Sequence, residues 1–244
     1  MPIPQLPPIQ LTEQTKQRLE AGFRAYWLSP FCAGTIEIGE PIIAWALGAS
    51  HLGTKAFADA YNIQTKVAYQ IKTGLVNSPV TFARLTTPSQ SQLVNSDHQA
   101  DRDRLGAELL AWVHARINEP KALLGAEQVR VARIIYTQIG SFTYYERDTA
   151  HDPYDPSQFS WIWSTKGNAL EGYYENKKWF SWYPQGRLQT KNQNQLHFHG
   201  ENAFIPPAGA ANRHDFYLGK FGRITFDDFM KAMLPIVNTL SNDS

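Results

Sequence analysis

Phe57-Ala58-Asp59-Ala60-Tyr61 and Val67-Ala68-Tyr69-Gln70-Ile71-Lys72-Thr73-Gly74 are two short β-rich runs joined by a polar turn, Asn62–Lys66. Such runs, bounded by turn formers, read as strands over 56–61 and 67–72. Strand side chains alternate between faces, so Gln70 and Lys72 share one face. If the two strands pair as a hairpin, Asp59 lies near that face. A carboxylate, an amide and an ammonium group then meet on one small patch.

Outward from the hairpin, the chain reads as helices, a small sheet, a helix, more strands and a helix. Residues 1–11 are proline-rich and read as an extended arm. Thr12 is placed to cap a helix through about Leu28, with Leu19, Phe23, Tyr26 and Trp27 on one face. A second helical pattern runs near Glu37–Leu47. Downstream, Pro79–Leu85 reads as a helix start after Ser78. Residues 86–100 are polar and read as a mobile loop. Leu105, Leu109, Trp112, Val113 and Ile117 make a helix face. Strands are expected over Val129–Ile139, Phe142–Glu146, Trp179–Tyr183 and Gln195–His199, and where Phe159, Trp161 and Trp163 alternate with polar or smaller residues. Thr225-x-x-Asp228 resembles a capping box for a closing helix, which Pro235 should kink or shorten. This order implies α/β, with α+β as the alternative, and a mixed sheet. A single domain over 1–244 is the default at this length.

Hydrophobic residues make up 43% of the 244 and charged residues 18%, which fits a globular chain rather than a disordered one. No apolar run is long enough to span a bilayer, so no membrane partner is expected. The single cysteine, Cys32, excludes an intrachain disulfide and fits a reducing cytoplasm, and Met1-Pro2-Ile3-Pro4 lacks the features of a secretory signal. The net charge of +1 counts mildly against nucleic acid, although acidic metal ligands would offset basic phosphate contacts.

The Asp59, Gln70 and Lys72 set suits phosphodiester hydrolysis. A carboxylate and neighbouring oxygens can hold Mg²⁺, a hard cation that prefers oxygen. Such an ion polarises phosphate and acidifies water, while a nearby lysine orients the attacking water and offsets charge on phosphorus. The arrangement resembles the PD-(D/E)XK nucleases, and among them the type II restriction endonucleases, over roughly residues 37–85. The resemblance implies a mixed central sheet flanked by helices, with the β-rich part at about 129–205 added for DNA recognition. It makes Asp59 the metal ligand, puts Gln70 where the second acid belongs, and gives Lys72 the catalytic lysine's place. The Ile71 carbonyl is implied as a further ligand. A helical glutamate often joins; Glu37 and Glu40 are the candidates, with Glu40 favoured. Two departures stand out: Ala58 replaces proline, and Gln70 replaces an acid. The resemblance further implies a prokaryotic, cytoplasmic homodimer on palindromic double-stranded DNA, products with 5′-phosphates, and a DNA methyltransferase as functional partner. A repair or recombination nuclease on the same scaffold and a non-cutting DNA-binding protein remain as alternatives. A sugar- or small-molecule-binding β protein is a remote third.

Other residues are candidates for DNA contact. Ser78 and Thr81, with the N–H groups of a helix start, could hold a phosphate, and Arg84 could join them. The stretch from Lys177 to Asn194 carries Lys177, Lys178, Arg187 and Lys191, with Gln189 among the amides able to read base edges. Its aromatic residues read as core. His197 and His199 could be half of a metal site, but the plainer reading is structural. His151-Asp152-Pro153-Tyr154-Asp155-Pro156 reads as a loop, because Asp before Pro is first a turn signal. No serine-hydrolase or phosphate-loop motif occurs.

Overall fold

The structure is a computed structural model that describes residues 9–29, 39–52, 57–84, 93–136, 140–188, 191–220 and 224–238, with only the backbone for 82–84. It is mixed α/β. Its contacts divide the chain into two compact units. Of the described residues, one unit takes those within 9–76, 117–151 and 206–238, and the other those within 77–116 and 152–205.

The first unit is built on a six-stranded sheet. Its strands are β1 (Ser50–His51), β2 (Ala60–Asn62), β3 (Val67–Leu75), β5 (Gln128–Tyr136), β6 (Ser141–Asp148) and β11 (Arg213–Tyr217), in the order β1-β2-β3-β5-β6-β11. All neighbours are antiparallel except β3 and β5, which run parallel with Lys72 opposite Arg133. A parallel pair needs a crossover, and here the chain returns through helix α3 (Gln99–Leu124). One sheet face presents Tyr69, Ile71, Ala132, Ile134, Tyr144 and Phe216 to a core shared with α1 (Glu13–Trp27), α2 (Gly39–Ala46) and α4 (Phe226–Asn238). The opposite face carries Gln70, Lys72 and Arg133.

The helix ends follow the sequence closely. The Thr12 side chain accepts a hydrogen bond from the Thr15 N–H, and α1 runs to Trp27. Thr225 caps α4 by accepting from the Asp228 N–H at 3.1 Å, while its hydroxyl donates to the Asp228 carboxylate at 2.7 Å. Pro235 lies within α4, which continues to Asn238 instead of ending at the proline.

The second unit holds a five-stranded antiparallel sheet. Its strands are β4 (Val80–Arg84), β7 (Phe159–Trp163), β8 (Leu170–Tyr174), β9 (Lys177–Trp182) and β10 (Gln195–Phe198), in the order β4-β10-β9-β8-β7. Trp161, Leu170, Phe180, Trp182, Leu196 and Phe198 are buried on one face. Glu171, Ser181 and His197 occupy the other, as the register requires. The indole of Trp161 lies between Gly106 on α3 and Gly172 on β8, where an added Cβ would come within 2.1 and 2.5 Å of it.

Two sequence expectations are corrected. Pro79–Leu85 does not start a helix: Val80–Arg84 is strand β4, paired with β10, Val80 opposite Phe198. The polar stretch 86–100 is not one loop: Leu93–Asn95 forms a 3₁₀ turn and α3 begins at Gln99, while residues 85–92 lie outside the described residues. The proline-rich arm falls largely outside them too, as do Glu37, Cys32 and Gln189.

Candidate functional site

Asp59 sits just before β2, and the hairpin register decides what it meets. Its N–H donates to the Tyr69 carbonyl at 2.8 Å, and its carbonyl accepts from the Leu52 N–H at 2.8 Å. Ala60 lies opposite Tyr69, so Ile71 extends past the start of β2. The Asp59 side chain fills that place: Oδ2 accepts from the Ile71 N–H at 2.7 Å. It also accepts from the Gln70 amide nitrogen, and Lys72 Nζ lies 3.8 Å away. The hairpin thus brings Asp59, Gln70 and Lys72 together as strand alternation implies, and the Ile71 N–H joins them.

Glu40 lies in the first turn of α2, and its Oε2 is 3.7 Å from His51 Nε2 on β1. His51 is opposite Ala60, next to Asp59. Both groups act on Asp59 through space, Glu40 raising its pKa and His51 lowering it. Burial is the largest influence and Lys72 the second; the carboxyl is pushed up to about 6. Sequence reasoning missed His51, a lone histidine in no pattern. It also missed Arg133, a buried guanidinium one strand across from Lys72.

The donor set suits a hard divalent cation. Residues 69 and 71 turn their backbone groups to the β2 edge, so the Ile71 carbonyl points to the side where Asp59 stands. Asp59 and Glu40 supply carboxylate oxygens, and the raised pKa of Asp59 marks a carboxylate that a cation would favour. Gln70 turns its nitrogen to Asp59; an amide flip would present its oxygen instead. Among the described residues, no three carboxylate, imidazole or thiol groups gather as a metal cage. Mg²⁺ does not require one, since it binds through one or two carboxylates and keeps several waters.

The proposed DNA contacts fare unevenly. Ser78, Thr81 and Arg84 do not lie at a helix N-terminus: Val80–Arg84 is an edge strand paired with β10 on one side, so no cluster of helix-start N–H groups backs the Ser78 and Thr81 hydroxyls. Arg187 is committed to its own unit. Its Nε donates to the Gly167 carbonyl at 2.5 Å, its Nη1 to the Val94 carbonyl at 2.6 Å, and its Nη2 to Asp97 at 3.0 Å. The guanidinium also lies 3.7 Å from the ring centroid of Trp163. Lys178 pairs with Glu171 at 2.7 Å. Lys177 and Lys191 are exposed.

His197 and His199 are held by Gln195 and Ser181, at 3.0 and 2.9 Å. Burial lowers the His199 pKa to about 4, so this imidazole is neutral at ordinary pH. Residues 151–156 are a loop linking two 3₁₀ turns, Thr149–His151 and Pro156–Gln158, and Asp155 caps the second by accepting from the Ser157 N–H.

No protein-family model, curated protein or solved structure matches the chain.

Proposed function

We propose that this chain is a Mg²⁺-dependent endonuclease that hydrolyses phosphodiester bonds of double-stranded DNA, in the manner of a type II restriction enzyme. The observation that carries the reading is the meeting of the Ile71 N–H and Lys72 Nζ on one half-buried Asp59 oxygen, at 2.7 and 3.8 Å. A mixed sheet with helices and a carboxylate–lysine pair beside a strand end is what the PD-(D/E)XK resemblance implies.

Asp59 holds its carboxylate in fixed geometry through the Ile71 N–H, with Glu40 as a second acid steadied by His51. When bound, Mg²⁺ would polarise the scissile phosphate and lower the pKa of the attacking water. Lys72 donates to that water or to a phosphoryl oxygen, and its charge offsets the negative charge that grows on phosphorus. Arg133 adds fixed positive charge on the same face. Attack in line with the 3′ oxygen leaves a 5′-phosphate. Two copies related by a two-fold axis would cut both strands of a palindrome, and a DNA methyltransferase would protect the host's own sites.

A second reading follows from Gln70, whose amide donates into Asp59 rather than offering oxygen. In that reading the chain binds DNA but does not cut it. Incubation with plasmid DNA and Mg²⁺ separates the two. Discrete fragments that vanish in EDTA support the nuclease. Retardation of DNA in a gel with no cleavage across Mg²⁺ and Mn²⁺ supports the binding protein and contradicts the nuclease.

A further inference from the structure

A cavity of about 540 Å³ opens within the five-stranded unit. That volume falls inside the range of about 300–1,000 Å³ typical of small-molecule sites. Glu171 and Tyr173 of β8, Lys178 of β9, and Tyr183 just beyond β9 contribute from the sheet. Lys166 and Asn168 contribute from the turn between β7 and β8, and Lys191 from the segment before β10.

The charges in this cavity do not balance. The Glu171 carboxylate is mostly buried and already satisfied, by Lys178 Nζ at 2.7 Å and the Tyr173 hydroxyl at 2.8 Å. Lys166 and Lys191 have no carboxylate within ion-pair reach among the described residues. The cavity is therefore positive overall and favours an anion.

The remaining walls suit a flat polar group. Tyr183 is fixed by an edge contact with His197, ring centroids 5.2 Å apart, and offers a ring to stack on. Asn168 accepts from Ser164 Oγ at 3.0 Å through its oxygen, which leaves its NH₂ to donate. An anion joined to a flat hydrogen-bonding ring is the chemistry of a nucleotide.

We infer that this cavity binds a single nucleotide, its phosphate between Lys166 and Lys191 and its base against Tyr183 and Asn168. The ligand is either a free nucleotide or one unstacked unit of a DNA strand. The site uses no residue of the Asp59 centre, so it stands or falls separately from the hydrolytic reading.

The test is equilibrium binding to the full chain in EDTA, with dAMP, deoxyadenosine, inorganic phosphate and a short single-stranded oligonucleotide as probes. dAMP is expected to bind roughly tenfold or more tightly than deoxyadenosine or phosphate alone. The double variant Lys166→Gln/Lys191→Gln is expected to weaken dAMP roughly tenfold without changing the melting temperature. Asp59→Ala is expected to leave binding intact. An oligonucleotide that binds more tightly than dAMP assigns the site to a strand unit; one that does not assigns it to the free nucleotide. Equal binding of dAMP and phosphate, or unchanged binding by the lysine double variant, overturns the site. So does a preference for deoxyadenosine or an uncharged sugar over dAMP.

Discussion

Asp59 is held where its charge is poorly solvated. Its folded pKa of about 6 lies above the ordinary value of 3.8, chiefly through burial and against the opposing pull of Lys72. Folding therefore favours the protonated form. That stabilisation is complete below the unfolded pKa and is lost as pH rises through about 6. Near neutral pH, without a cation, the ionised carboxylate should cost up to about 3 kcal/mol. Asp59→Asn is accordingly expected to raise the metal-free melting temperature at about pH 8 and to give no such gain at about pH 4. Added Mg²⁺ should stabilise the wild type more than the variant. A melting temperature that falls at both pH values would contradict this account of the residue. Arg187 and Lys191 make a second contrast. Arg187→Ala loses three donated hydrogen bonds and a ring contact, and should cost about 2–3 kcal/mol in thermal unfolding. Lys191→Gln should leave stability alone and, if the chain binds DNA through this lysine, lower the salt dependence of binding by about one phosphate contact.

At the level of elements, the local signals were legible and the long-range ones were not. Thr12 and Thr225 announced α1 and α4 because capping is settled within four residues of chain. Asp59, Gln70 and Lys72 could be placed together because a tight hairpin and a two-residue alternation fix their positions. Val80–Arg84 was misread because only its pairing with β10, far along the chain, makes it a strand. Leu170–Tyr174 and Arg213–Tyr217 went unseen for a similar reason: both owe their state to neighbours such as β9 and β6 rather than to strong local preference. His51 and Arg133 carry no sequence pattern, and only β pairing brings them beside Asp59 and Lys72. The packing of Trp161 supplies an element-scale prediction. Gly106→Val on α3 would drive side-chain atoms into the indole, and is expected to destabilise the protein by about 1–3 kcal/mol or more in denaturant unfolding. A neutral result would show that α3 can shift away from β7 and β8 without loss.

At the scale of the whole molecule, a net charge of +1 leaves little general attraction for DNA. The proposed DNA binding would then come from local groups such as Lys166, Lys191 and the positive charges near Asp59. If so, affinity should fall with salt less steeply than for a strongly basic protein, since fewer counterions are released. No helix among the described residues is long and apolar enough to cross a membrane. The Asp59 centre lies in one compact unit and the proposed nucleotide cavity in the other. The central claim concerns the first of these. Single-turnover cleavage of duplex DNA, measured with Mg²⁺ for the wild type, Asp59→Ala and Lys72→Ala, tests it most directly. The account predicts Mg²⁺-dependent cutting by the wild type and a loss of about 10²–10³-fold or more in each variant, with folding intact. Cutting by either variant at the wild-type rate, or no cutting by the wild type, would contradict it.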